Sequence, residues 1–351
     1  MILFKRKSTA GMILFIAVFS FIILHGSTAP ADSSNCKQTK IKIAHIAPEG
    51  STWDRILKEF NEELKEKTDN RVSFQIYSGG VAGDDKGVLS KVRIGQLDGG
   101  GFTGVGMGKI LPEVRILDLP FFLTNEGEFE RVRKGLTPYF KKAFAEKGFA
   151  LIGWNDVGFV YFYSAKPIHN LKELQRTKVW TWEGDYLSRV CLEEIGVTPV
   201  PLSIVDVMMG LNTGMIDTVF TPPMGAVSFQ WYVRTKYQTS TPLGFITTAL
   251  LVRQKKFKKI SADDQKTLLA LFEKHFKGLT KLIRKQNIEA TEVMKTRGVK
   301  AVKWPQADIN ELRASSERVM KKLIGKQYPQ SLLDEAFRLR DSIPNNLTSE
   351  K

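Results

Sequence analysis

Histidine and cysteine are scarce, with four His and two Cys in 351 residues. Two cysteines, Cys36 and Cys191, are too few for a disulfide framework. One bond between them is chemically open in an oxidising compartment. Cys191 lies in Tyr186–Ile195, a stretch that reads as helix, and suits a small buried apolar residue. His45, His169 and His275 stand far apart, with no H-E-x-x-H or C-x-x-C spacing to hold a metal. A G-x-S-x-G nucleophile elbow and a G-x-x-x-x-G-K phosphate loop are also missing. These absences exclude the commonest catalytic and cofactor machinery, so neither an enzyme nor a bound cofactor is expected. Acidic residues are outnumbered, 37 against 52 Lys and Arg, for a formal charge of +15. The excess is dispersed rather than gathered in a block or interleaved with aromatics. Nucleic acid is therefore not an expected partner, and the charge reads as solubility and weak attraction to anionic membrane surfaces. No internal repeat or low-complexity block is present, and beyond residue 24 no apolar run nears the about 20 residues a spanning helix needs.

The chain opens with Lys5, Arg6 and Lys7, an apolar run from Met12 to Leu24, and small residues ending Ala29-Pro30-Ala31. That order describes a secretory signal peptide over 1–31, which implies export. Its removal takes the formal charge from +15 to +12. Retention as an uncleaved anchor is the alternative. Lipidation of Cys36 is weaker, because Ser33-Ser34-Asn35 is a poor lipobox well beyond the apolar run.

The remaining chain of about 320 residues is too long for one ordinary core, so two lobes are expected. Lys40–Ala47 reads as strand, Trp53–Lys67 as helix, Arg71–Tyr77 as strand, Val88–Leu97 as helix and Gly99–Thr103 as strand. This alternation is the mark of an α/β layer architecture. Phe159–Ser164 and Phe245–Val252 are apolar strand-like runs placed to cross between lobes. Ser203 with Asp206 forms an S-x-x-D box ahead of a helix over 204–212 that Gly214 ends. Ser261 with Asp264 repeats the device before a helical pattern reaching about Arg297, either one long helix or two broken at Gly278. Gly99–Gly104 satisfies G-x-G-x-x-G, but a helix-like run precedes it, and Gly106 and Gly108 interrupt the segment after it. It reads as a strand end that lets backbone approach a ligand closely, not as a dinucleotide site.

Several strings together carry a resemblance. They are Y-S-G-G-V-A-G-D-D from Tyr77, V-R-I-G-Q-L-D from Val92 and L-D-L-P-F-F from Leu117. The longest runs from Asn170 through Trp180 and Trp182 to V-P-L-S-I-V-D, ending at Thr221-Pro222-Pro223. In this order they resemble DctP-type substrate-binding proteins of TRAP (tripartite ATP-independent periplasmic) transporters. The resemblance implies an α/β, two-lobed periplasmic-binding-protein fold with discontinuous lobes, crossover strands and a long connecting helix. It places lobe I at 37–161 plus 246–283 and lobe II at 162–245 plus 284–343. It further implies a periplasmic protein that closes on a small-molecule ligand and delivers it to integral-membrane TRAP subunits. In some relatives a helical-repeat, TPR-like periplasmic protein takes the place of that partner, a branch that an arginine-free cleft would suit.

The departures from the family pattern concern the ligand. The family's carboxylate-clamping arginine falls on Trp180, which offers one N–H and no charge. A second basic position falls on Val160 in W-N-D-V-G-F-V, the string that also holds Asp156, and an asparagine position falls on Thr221. An acid ligand without its arginine would leave a carboxylate buried and unpaired. A simple organic acid is therefore disfavoured unless a basic group such as Arg189 or Lys178 substitutes. A small apolar or aromatic ligand fits better, walled by Phe102, Thr103, Phe121, Phe122, Phe162, Trp180, Trp182, Met208, Pro222, Pro223 and Met224. Burying a flat face of about 100 Å² is worth about 2.5 kcal/mol, so several faces reach micromolar affinity. Phe121, Phe122 and Met208 suit core positions better than the pocket, and Glu183 and Asp185 suit a solvated turn.

Overall fold

The computed structural model describes residues 38–342; the leader and Cys36 lie outside them. In β1 (Thr39–His45), Ile41 and Ile43 are buried while Lys40 and Lys42 point to solvent, the period-2 pattern of a strand. Helix α1 (Thr52–Lys67) starts at Ser51, whose hydroxyl accepts from the Asp54 amide, and buries Trp53, Leu57, Phe60 and Leu64. Then come β2 (Val72–Tyr77), α2 (Asp85–Arg93), β3 (Gly99–Thr103), α3 (Gly104–Gly108) and a 3-10 turn over Pro112–Asp118. Helix α4 (Glu126–Glu146) leads into the long strand β4 (Phe149–Ser164). The second half runs α5 (Leu171–Leu174), β5 (Trp180–Trp182), α6 (Tyr186–Glu194), β6 (Val200–Leu202), α7 (Val207–Thr213), β7 (Thr218–Thr221) and α8 (Pro223–Ser228). It continues with β8 (Tyr237–Thr239), β9 (Gly244–Arg253), α9 (Gln254–Phe257), α10 (Ala262–Thr296), β10 (Lys300–Val302), α11 (Gln306–Leu323) and α12 (Gln330–Asp341).

The main sheet runs β10-β8-β4-β9-β3-β1-β2, with β7 also on β4, and β5 pairs with β6 separately. Strand β4 pairs β9 along its first part and β7 and β8 near its end. Helix α10 is continuous through Gly278, and the Ser261 hydroxyl caps it by accepting from the Asp264 amide at 3.1 Å. At 35 residues it extends about 50 Å and packs on α1, β4 and α8. Helix α12 packs on α4, where Leu332 and Ala336 share a core with Leu136 and Phe140.

Three local expectations are corrected. Helix α2 begins at Asp85, because Asp84 caps it by accepting from the Gly87 amide at 3.0 Å. Ser203 makes no cap bond; its hydroxyl donates to Asp84 at 3.3 Å, Ile204–Asp206 is a 3-10 turn, and α7 follows, ended by Gly214 at φ 70°. In the glycine run the close approach is to the chain itself. A Cβ on Gly99 would meet the Leu251 carbonyl at 2.2 Å, and one on Gly101 the Trp53 ring at 2.7 Å.

Candidate functional site

Among the described residues, a mostly apolar cavity of about 160 Å³ gathers most of the candidate site. Its floor is strand: Val160 and Phe162 on one face of β4, Phe220 of β7, and residues 243–246 at the start of β9. Two helices wall it. Ser188, Cys191, Leu192 and Ile195 project from α6 and its end, and Leu312, Ser315, Ser316 and Val319 from α11. Both sets follow the i, i+3, i+4, i+7 stripe of a helix face. Thr103 to Val105, Phe121 and Trp182 close the remaining sides. Phe121 takes a left-handed backbone at φ 55°, held by its amide donating to the Leu243 carbonyl at 2.7 Å. Such a conformation costs a bulky residue about 1 kcal/mol or more and turns the chain so that this ring reaches the cavity.

One charged cluster lines this otherwise apolar space. Three residues per turn in the 3-10 segment put Arg115 and Asp118 on the same side, with Arg115 Nε 3.0 Å from Asp118 Oδ2. Asp185 caps α6 and faces the same guanidinium, with Oδ1 3.1 Å from Nη1 and Oδ2 3.3 Å from Nη2. All three side chains are buried. Burial would weaken the Arg115 charge, but Asp185 and Asp118 outweigh it and hold the group cationic. Burial pushes the Asp118 carboxyl up to about 7, helped by Asp185 and opposed by Arg115 and the Thr247 amide. Gly104 leaves the space Asp118 needs, since a Cβ there would lie 1.8 Å from Oδ2. Burial also drives the Cys191 thiol up to about 12, so it behaves as a small apolar wall group.

Of the expected site residues, the structure brings Thr103, Val160, Phe162 and Trp182 together around this cavity, with Phe121. It places the others elsewhere. Trp180 is 1% exposed, packed on Trp182, Phe220 and Trp231, and its Nε1–H donates to the Leu202 carbonyl at 3.1 Å. The expected cleft-facing indole is corrected: Trp180 is core, and Trp182 beside it reaches the cavity. Phe102 and Phe122 are core, and Met208 packs against the Trp180 cluster. Asp156 is buried 3.6 Å from both Arg133 and Arg284, so it is a structural ion-pair centre. Thr221 and Pro223 are buried and Pro222 precedes α8; none of them lines the cavity. The Met224 amide donates to Asn287 Oδ1 at 2.9 Å, tying α8 to α10. The substitute bases also miss the cavity. Arg189 pairs with Glu193, and Lys178 donates to the Gly214 carbonyl.

Sequence reasoning missed Arg115, α11 and the burial of Asp185. A signal existed for the helices, whose stripes at helical spacing are legible. Nothing local shows that Arg115 meets Asp185, 70 residues away.

Residues 43–327 match the family model DctP, bacterial extracellular solute-binding protein, family 7. A solute-binding protein of Chromohalobacter salexigens is 25% identical over 75% of this chain and 75% of its own. The ectoine-binding periplasmic protein TeaA of Halomonas elongata is 26% identical over 73% of this chain and 78% of its own. A TRAP periplasmic solute-binding protein of Xanthobacter autotrophicus, solved with bound β-D-galacturonate, superposes with a TM-score of 0.80 at 18% identity. That superposition covers 86% of this chain and all of the other, so the two share the two-lobed fold. The chain belongs to the DctP family of periplasmic TRAP-transporter solute-binding proteins.

Proposed function

We propose that this periplasmic solute-binding protein takes a small ligand with an apolar or aromatic body and delivers it to TRAP-type membrane subunits. One observation carries the reading: among the described residues, the only guanidinium lining the cavity has its fork filled by Asp185 and its Nε beside Asp118. A free carboxylate would enter a space that already holds two carboxylates for one cation. With Asp118 ionised, it would meet a net negative charge at low effective dielectric, which disfavours binding. The remaining walls are rings and aliphatic groups, and about 160 Å³ suits a single-ring body. The helical-repeat partner belongs to the same reading, since it is tied to a cleft without an open arginine.

An organic-acid ligand is the second reading, favoured by the presence of Arg115 in the cavity at all. It requires Asp185 to leave the fork when the acid enters. The galacturonate in the Xanthobacter protein shows that one member of this fold takes an acid. Thermal shift on the purified protein separates the two. Toluene, indole and benzyl alcohol should raise Tm in proportion to occupancy while galacturonate and benzoate leave it unchanged. A rise with the acids and none with the apolar compounds would reverse the assignment. Native mass spectrometry of freshly purified protein should then find a co-purified molecule of matching chemistry.

A further inference from the structure

Among the described residues, two buried side-chain polar atoms on the cavity wall make no hydrogen bond, Arg115 Nε and Asp118 Oδ1. The hydroxyls of Ser188, Ser315 and Ser316 are bonded to Asp185, the Leu312 carbonyl and the Pro120 carbonyl, and that of Thr103 to Asp85. The Arg115 Nη atoms are taken by Asp185, and its Nε lies against Asp118 Oδ2. Asp118 Oδ1 lacks even such an ion-pair contact, on a side chain 9% exposed that lines the cavity, and the Thr247 amide is the one backbone group set against that carboxyl. No described lysine or histidine lines the space to compete for that oxygen.

We propose that Asp118 receives a protonated nitrogen of the ligand, so that the cavity selects a small amine with an apolar or aromatic body. The inference rests on the cavity being the ligand site and adds which polar end that ligand carries. Formal charges support it. With Asp118 ionised, two carboxylates against one guanidinium leave the buried cluster one negative charge in excess, and a cation beside Asp118 brings the sum to zero. A buried acceptor without a partner is costly, and a charge-assisted N–H···O bond is the strongest way to satisfy it. A hydroxyl satisfies the acceptor but not the charge, and a carboxylate satisfies neither.

Three probes of one shape test this by titration calorimetry on the full chain: benzylamine, benzyl alcohol and benzoate. The wild type should bind benzylamine about ten-fold tighter than benzyl alcohol, with benzoate weakest. Asp118→Asn, which keeps the shape and removes the charge, should bring the amine and the alcohol to parity. Equal affinity of amine and alcohol in the wild type overturns the inference and leaves the apolar site standing, a result that needs no variant. An unchanged ratio in Asp118→Asn overturns it too. Benzoate as the tightest probe, or no binding by any of the three, sinks the apolar-site reading along with it.

Discussion

At the scale of single residues, Trp180 and Trp182 divide two roles that sequence alone assigned to both. Their ring centroids are 5.4 Å apart, yet one indole is core and the other is cavity wall. Trp180→Ala should cost about 3–5 kcal/mol of stability, the usual cost of emptying a large buried site. Trp182→Ala should cost clearly less stability and weaken apolar probes several-fold. Urea unfolding and calorimetry on the two variants read these outcomes separately, and equal loss of affinity without loss of stability in Trp180→Ala would return it to the site. Strand alternation correctly put both rings on one face. It could not show which of them the packing of Trp231 and Phe220 would cover.

His45 supplies a pH dependence at the same scale. Burial lowers its pKa to about 4, against the pull of Asp54 3.3 Å away; Lys58 works in the same direction as burial. The folded state therefore keeps His45 neutral where the unfolded chain, near 6.5, takes up a proton. The unfolded state binds more protons between those values, so this contribution is full above about 6.5 and is lost as pH falls toward 4. Asp54 works in the same sense. Burial raises its pKa, but hydrogen bonds from Ser78 and Lys58 outweigh that and hold it low. His45→Gln should thus close part of its stability gap to the wild type on acidification, by about 3 kcal/mol at most. Paired urea titrations at pH 7 and pH 4.5 give the difference, and a gap that does not change with pH would refute it.

Among elements, α10 and β4 show how the same substitution reverses sign with context. Gly153 lies at a register shift in β4, and a Cβ there would come within 2.4 Å of the Phe272 ring. That ring is stacked on Phe276 at 3.8 Å, so it cannot swing aside freely. Gly153→Ala should cost about 1–3 kcal/mol by overpacking. Gly278 is exposed within α10 and a Cβ there meets nothing within 4 Å. Gly278→Ala should therefore stabilise the helix by about 0.5–1 kcal/mol. Thermal unfolding of both variants checks the opposite signs. The length and start of α10 were legible because its signals are local: a serine cap and apolar residues at helical spacing. The false cap at Ser203 fails for the complementary reason, since its partner Asp84 is 119 residues away. The same distance problem hid Arg115, whose neighbours Asp118 and Asp185 give it meaning only after folding.

For the whole molecule, polar contacts join the segments expected to form opposite lobes: Lys86 with Glu183 at 2.9 Å, Ser203 with Asp84, and Arg115 with Asp185. The first is exposed and screened, so it holds those segments together only weakly. The Arg115–Asp185 pair is buried, so it ties those segments more strongly and also occupies the fork that an acid would need. Asp185→Ala should then change two things together. The ligand-free protein should populate a more open form, seen as a larger radius of gyration by small-angle scattering. The freed guanidinium should admit benzoate, for which the proposed function expects weak binding to the wild type. Asp185→Asn, which keeps an acceptor to cap α6, controls for loss of the helix start and should show the same two changes more weakly. Opening without benzoate binding would mean that Asp118 alone neutralises Arg115. Benzoate binding without opening would mean that the apolar faces of α6 and α11 hold the lobes shut, leaving Asp185 to govern only which ligand enters.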